Sequence, residues 1–305
     1  MNESHQPQAN PGTPPAEPAW VALRPYYLDH FGRNRAAILE AAALGFDQPI
    51  KGCPGWDVAA VTAHMGRVYT FWLKWVRERP RGLSREAFKE IAADRDARLP
   101  GYTAWDKAGF PKESRPDGIV PFARQAGDEL DSALVDLEPE ETVWTFVPPS
   151  QTGAFVFRRL AMETTVHRWD AEDAHGIARP IDEALARDGI DEMLMMFRED
   201  PAYENNKDRR HGQKILLRED PRPAGQGAGY PAGPPGRRWL VSFDSSGITT
   251  SPDDGPAAGT RERVTVAGNA SDLWLFIMGR RSPEEMQIEG DKDIAGSWGD
   301  LAGRF

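Results

Sequence analysis

Cysteine is almost absent from this sequence. Cys53 stands alone among 305 residues, so no disulfide can form within the chain, and a reducing, cytoplasmic setting is the expectation. Positive charge is also in deficit: 37 Lys and Arg face 47 Asp and Glu, a net charge of −10. Nucleic-acid binding is disfavoured, because phosphates are neutralised by Lys and Arg. So is a polybasic membrane contact. No apolar run approaches the roughly 18 residues of a membrane-spanning helix. The N-terminal stretch is polar and Pro-rich and has no basic start followed by an apolar segment, so no secretory leader is expected. Residues 1–19 read as a disordered tail. Nor is there a Gly-x-Ser-x-Gly elbow. Gly225, Gly227 and Gly229 follow no strand pattern and precede Tyr230-Pro231, which removes a dinucleotide loop.

What is present is helix first, strand later. Apolar positions including Leu28, Phe31, Ile38 and Leu39 predict a helix over 26–44. Cys53-Pro54-Gly55 is a turn, and Asp57 is placed to cap a second helix that runs to about Arg79. On that helix Val58, Val61, Met65, Val68, Trp72 and Trp75 recur at three- and four-residue steps, a face to be buried. Residues 80–117 are charged and carry few core signals; helical fragments are expected around 84–97, broken by Pro100-Gly101, Pro111 and Pro116, and the stretch reads as a long excursion near the site, a lid. Further helices are expected over 119–137, 154–174 (with Gly176 just past the end) and 181–198. Residues 201–236 are rich in Pro, Gly and charge and read as a linker. The period then becomes two: strands are expected at 239–243, 248–250, 263–267 and 286–290, with an apolar helix over 271–278 and a last helix capped by Asp291. The expected fold class is α+β. A helical bundle over 20–200 is followed by a small α/β domain over 237–305.

Two helical segments place ionisable groups on apolar faces. Glu163 and His167 are four residues apart, one turn on one face. His64 lies on or beside the stripe of the second helix. A lone histidine on an apolar face is more often a hydrogen-bonded core residue than a ligand. Glu and His at this spacing also commonly form a surface pair worth only about 0.2–0.5 kcal/mol. Context raises the functional reading: Leu160, Glu163, Thr164, His167 and Ala171 share a face of little bulk, where an ionised carboxylate without a partner is costly. If His64 faces them across the bundle, two imidazoles and a carboxylate converge. That set suits a divalent metal, foremost zinc with an open fourth position. Metal-bound imidazoles usually donate their second N–H to a carboxylate, and Asp170 and Asp57 are the nearby choices, with Asp57 better explained as a cap.

Two more residues carry open readings. Cys53 precedes a helix start, where a thiolate is favoured, but Pro54 removes one N–H and a small apolar residue in a turn explains it equally well. Arg280 ends the apolar run Leu273-Trp274-Leu275-Phe276-Ile277. It either complements the helix dipole or binds a substrate carboxylate bidentately, and adjacent Arg281 competes for the role.

These same stretches resemble the mycothiol-dependent maleylpyruvate isomerase family of the DinB-like superfamily. The resemblance rests on Pro54-Gly55-Trp56-Asp57 with Ala63-His64-Met65-Gly66-Arg67, on Arg158-Arg159 with Glu163, His167-Arg168-Trp169-Asp170-Ala171-Glu172 and Gly176, and on Ala270 to Arg280. It covers about Trp20 to Ala302 and implies a DinB-like four-helix bundle joined to a smaller α/β domain. It implies metal ligands at His64, Glu163 and His167, and mycothiol, a small intracellular thiol, as cosubstrate. The segments 80–117 and 200–236 are long for that family, which leaves the substrate open. The expectation is a zinc-dependent enzyme that activates a low-molecular-weight thiol for attack on an electrophilic small molecule, by S-transfer or by thiol-dependent cis–trans isomerisation. The alternatives are a zinc hydrolase using metal-bound water, with Asp170 as base, and a non-catalytic small-molecule binding protein.

Overall fold

The computed structural model describes residues 23–79, 84–199, 208–220, 236–245, 247–252 and 263–302. The chain divides into two compact units, one ending at Ile181 and one running from Asp182 onward. The expected tail at 1–19 lies outside the described residues.

The first unit is a four-helix bundle with an added subdomain. Its long helices are α1 (Arg24–Leu44), α2 (Val58–Glu78), α5 (Ile119–Val135) and α6 (Gly153–Ala174). Helix α2 packs along α5 and α1 along α6. The apolar stripe of α2 is buried as its periodicity predicts, with Val58, Val61, Met65, Trp72 and Trp75 at most 3% exposed. Gly66 permits the close approach to α5: a Cβ there would meet the Phe122 ring at 2.4 Å. Helix α6 is buried over nearly its whole length, so its charged residues are partnered inside the unit. Arg168 donates to Glu172 at 2.6 Å, and Arg179 binds the other oxygen of the same carboxylate. Gly176, at φ +69°, turns the chain away beyond the end of α6.

The excursion 80–117 holds the helix expected around 84–97 and a second, shorter one. Within it, α3 (Arg85–Arg98) and α4 (Tyr102–Lys107) bury Ile91, Leu99, Tyr102 and Trp105. The Pro and charge content masks these few anchors, which are spaced across breaks rather than along one helix.

The second unit opens with α7 (Glu183–Glu199). The sequence pattern extends the bundle to residue 200. In the structure this helix instead packs in the unit that carries the sheet, against α8 (Ala270–Ile277) and strand β3 (Gly247–Pro252). Its amphipathic stripe specifies that a face is buried, not which partner buries it. Gly189 is the contact point: a Cβ there would strike the Trp274 indole at 2.4 Å.

The sheet corrects the linker reading of 201–236. Strand β1 (Gln213–Glu219) lies within that stretch and is the middle strand of five, in the order β3-β2-β1-β4-β5. It pairs antiparallel with β2 (Arg238–Asp244) and parallel with β4 (Arg263–Gly268), while β5 (Gln287–Glu289) closes the edge beside β4. A middle strand buried on both faces lacks the alternation that marks a half-exposed one. Here Ile215, Leu216 and Leu217 are consecutive and all buried, between charged neighbours that disguise them. Two short helices, α9 (Lys292–Gly296) and α10 (Trp298–Ala302), finish the unit, with Asp291 capping α9 as expected.

Candidate metal centre

The turn that precedes α2 builds one wall of the site. Pro54 and Gly55 (φ +87°) reverse the chain, and Ile50 N donates to Trp56 O at 2.9 Å. Asp57 then caps α2, its Oδ1 accepting from Ala60 N at 2.8 Å while Oδ2 accepts from Arg115 at 2.6 Å. Asp57 is thus a cap tied to the excursion, as its position predicts, and not a partner of an imidazole. The turn sets the Trp56 indole against both histidines, parallel to the His167 ring at a centroid distance of 6.3 Å and 4.9 Å from His64. Phe110, at φ +62°, reaches from the excursion to Trp56, with Trp105 behind it.

Across the bundle, α2 and α6 bring together the three expected ligands. His64, Glu163 and His167 each offer one ligand atom, all within 4.8 Å of one another. Glu163 Oε1 lies 3.2 Å from His64 Nε2 and 3.4 Å from His167 Nε2. Zinc with bonds of about 2.0–2.1 Å and tetrahedral angles sets its ligand atoms roughly 3.3–3.5 Å apart. The observed spacing and the two-imidazole, one-carboxylate donor set therefore fit such an ion. Other divalent metals share much of this chemistry.

Supporting contacts fix each candidate ligand. Asp170 accepts from His167 Nδ1 at 2.9 Å; because a carboxylate only accepts, the proton sits on Nδ1 and Nε2 faces the other ligands. Arg159, one turn before Glu163, holds its Oε2 and leaves Oε1 toward the imidazoles. On the outer side Arg67 Nη2 lies 3.2 Å from His64 Nδ1. Cys53 Sγ approaches Asp170 Oδ2 at 3.9 Å, behind His167. It thus belongs to the same neighbourhood through Asp170.

The electrostatics follow from burial and these partners. Burial pushes His64 down to about 4, against a smaller upward pull from Glu163. Burial opposes charge on Glu163, but Arg159 and the two imidazoles outweigh it and hold the carboxyl well below its usual range. Burial likewise opposes charge on His167, yet Asp170 and Glu163 raise it above its ordinary value. Two imidazoles a few ångströms apart are thereby driven in opposite directions.

Sequence reasoning gave no site role to Trp56, Phe110, Arg159 or Arg67, although Trp56, Arg67 and Arg159 stand in the stretches that carry the family resemblance. Two of these had a signal in their helical spacing, Arg159 four residues before Glu163 and Arg67 three after His64. Phe110 had none, because its approach depends on a left-handed backbone. Arg280 lies in the other unit, just past α8, where its Nη1 donates to Met278 O at 2.7 Å. Arg281 is engaged with Asp272 at 3.1 Å and Glu285 at 3.0 Å.

Among the described residues, no helix is long and apolar enough to cross a membrane. Residues 28–172 match the family model of the mycothiol maleylpyruvate isomerase N-terminal domain. Comparison with curated protein sequences gives no match. Among solved structures, the chain is similar to a crystal structure of the mycothiol-dependent maleylpyruvate isomerase, with 14% identity, a TM-score of 0.45 and coverage of 92% of this chain and 96% of that one. A mutant of that isomerase aligns with 13% identity, a TM-score of 0.46 and the same coverage.

Proposed function

From the match of residues 28–172 to the mycothiol maleylpyruvate isomerase N-terminal domain, we propose that this chain is a metal-dependent enzyme that activates a low-molecular-weight thiol, mycothiol foremost, for attack on an electrophilic small molecule. The observation that carries this reading is the convergence of His64, Glu163 and His167, with Glu163 Oε1 3.2 Å from His64 Nε2 and 3.4 Å from His167 Nε2 and all three ligand atoms within 4.8 Å of one another. Three protein ligands leave a position for a small molecule. A zinc ion held there would supply a Lewis acid that keeps a thiol sulfur deprotonated.

The chain's own residues do the rest. Asp170 orients His167 and keeps its tautomer. Arg159 occupies one Glu163 oxygen, so that carboxylate contributes the other alone. Trp56, backed by Phe110, gives the site an aromatic wall that limits water and offers a flat apolar surface to an unsaturated electrophile. Thiol addition followed by expulsion of the same thiol gives cis–trans isomerisation, and retention of the thiol gives S-transfer.

Hydrolysis is the second reading, and one contact disfavours it. It needs a general base beside the open position. Asp170, the residue in question, is fully enclosed and already accepts from His167. A non-catalytic binding role is the third reading, and a stable, intact chain isolated without metal would favour it.

The deciding experiment measures metal content and turnover of unsaturated and other electrophiles by the purified chain, with and without mycothiol. About one zinc per chain and turnover that requires the thiol are expected. Turnover without thiol would move the assignment to hydrolysis, and absence of zinc from a chain with intact ligands would remove the metal reading.

A further inference from the structure

The turn after α4 holds more left-handed backbone than a helix end requires, and from this we infer that Phe110 is a specificity-determining residue that selects flat, unsaturated electrophiles at the candidate metal centre. Gly109, at φ +84°, ends α4 in the usual way, because glycine takes this angle without strain. Phe110 N then donates to Trp105 O at 3.0 Å and closes the turn. The cap accounts for Gly109 but not for Phe110, which follows at φ +62°. A bulky side chain at that angle is a backbone outlier. Arg79 is also left-handed, but it directly ends α2, its N–H bonded to Trp75 O at 2.8 Å. Strain of the Phe110 kind persists only where the surroundings over-determine it, and it gathers at functional sites.

The surroundings of Phe110 meet that condition. The Trp105 ring packs edge-on behind it at 4.7 Å, and Trp105 Nε1 donates to Pro111 O at 3.0 Å. Arg115 reaches back to the segment that carries Trp56. It donates to Asp47 Oδ1 at 2.8 Å and to Asp57 Oδ2 at 2.6 Å, with its guanidinium over the Phe46 ring. Asp57 adjoins Trp56, so one clamp holds both the indole and the Phe110 ring, whose centroids lie 5.4 Å apart. Trp56 in turn lies against His64 and His167. Both aromatic rings are half-buried, and Glu163 keeps 24% of its side chain exposed. Aromatic surface therefore remains uncovered in the neighbourhood of the candidate ligands. The two rings stand at 70° to one another and form a corner. A planar group lies flat on one ring with its edge toward the other, an arrangement aromatic surfaces favour. A puckered or branched group of the same length strikes both, and such a clash discriminates as surely as an added contact.

This inference rests on the functional reading above, and its test uses no thiol, so the two can fail separately. Binding of trans-cinnamate and of 3-cyclohexylpropanoate to the full chain is measured by calorimetry. The two acids share length, charge and carbon skeleton, so contacts to the carboxylate cancel in their ratio. The saturated acid is the more hydrophobic, so burial alone opposes the expected result. The unaltered protein is expected to bind cinnamate about 10-fold more tightly, the scale of one apolar misfit. Phe110→Ala should bind the two about equally, and Phe110→Tyr should keep the preference. Phe110→Gly, which removes the ring and relieves the angle, should also lose the preference, yet melt at a higher temperature than Phe110→Ala. It supplies the ratio if Phe110→Ala folds poorly. An undiminished preference in Phe110→Ala or Phe110→Gly, no preference in the unaltered protein, or binding of neither acid overturns the inference. So does a higher melting temperature for Phe110→Ala than for Phe110→Gly, since the angle would then not be held. A cinnamate preference that depends on Phe110 in a protein whose turnover needs no thiol would uphold this inference and overturn the thiol reading.

Discussion

Asp170 and His167 are joined through Oδ2 and Nδ1 at 2.9 Å, three residues apart on one buried helix. The bond turns the imidazole so that Nε2 points at Glu163 and His64. Carboxylates in this position typically change metal affinity 10- to 100-fold when removed. Asp170→Ala is therefore expected to weaken zinc binding by that range, and Asp170→Asn, which keeps an acceptor, by less. Chelator competition measures both. Affinity unchanged in Asp170→Ala would show that the contact is packing and not ligand orientation.

The metal-free site has a pH signature with a defined sign. His64 is pushed down to about 4 by burial, so the unfolded chain binds this proton more readily than the fold. Above pH 6.5 His64 contributes nothing. As pH falls from about 6.5 to 4 it costs on the order of 3 kcal/mol, at 1.36 kcal/mol per pKa unit. Glu163 is held low, so its stabilisation is present above the usual carboxylate value and lost as pH falls through its folded value. His167 is raised and acts oppositely: it stabilises below its ordinary value, and the gain is lost as pH rises through its folded value. Denaturant unfolding in the presence of chelator should show stability falling between pH 6.5 and 4, and His64→Gln should flatten that slope. An unchanged slope in the variant would assign it to other groups.

Removing the metal should leave the bundle folded. Its core is built from apolar side chains other than the candidate ligands, with Trp75, Phe155 and Leu160 fully buried. Zinc fingers, by contrast, owe their fold to the ion. Melting with and without chelator is expected to remain cooperative, with only the shift that ligand linkage requires. Loss of a cooperative transition would make the site structural and weaken the enzymatic reading.

The bundle and its candidate ligands were readable because helical periodicity is local. His64, Glu163 and His167 sit on predicted helices within a residue or two of their observed bounds. Residues that act through tertiary position were not readable. Phe110 reaches Trp56 only through an unusual backbone angle. Strand β1 was lost because a doubly buried strand of three apolar residues looks like a break in a charged loop. The allegiance of α7 was hidden for another reason: an amphipathic stripe is indifferent to which surface covers it.

Gly66 offers a stability test of how α2 meets α5. A methyl group there would fall 2.4 Å from the Phe122 ring, well inside contact distance, in a region without space. Gly66→Ala is expected to destabilise by about 1–3 kcal/mol, the usual cost of overpacking, despite the better helix propensity of Ala. Phe122→Leu added to it should recover part of the loss. Because Gly66 lies between Met65 and Arg67 on the ligand-bearing helix, metal affinity should fall as well. Neutral stability in Gly66→Ala would mean that the helices separate at little cost.

Arg280 is proposed as the anchor for a carboxylate of the substrate or of the thiol. Its main-chain N and its Nη1 already serve the end of α8, donating to Leu275 O and Met278 O at 2.7 Å each. Those bonds alone predict that Arg280→Ala costs a few tenths to about 1 kcal/mol of stability and leaves turnover unchanged. The anchor reading predicts a different pattern. Arg280→Ala then lowers kcat/KM tenfold or more, since a charge-assisted contact is worth roughly 1.5–3 kcal/mol. Arg280→Lys should rescue only in part, because it restores charge without the fork. Arg281 supplies the control. Its guanidinium is shared between Asp272 and Glu285, so Arg281→Ala should cost a fraction of a kcal/mol in stability and spare kcat/KM. Normal kcat/KM in Arg280→Ala, measured with a carboxylate-bearing substrate, would leave the residue with the helix end alone.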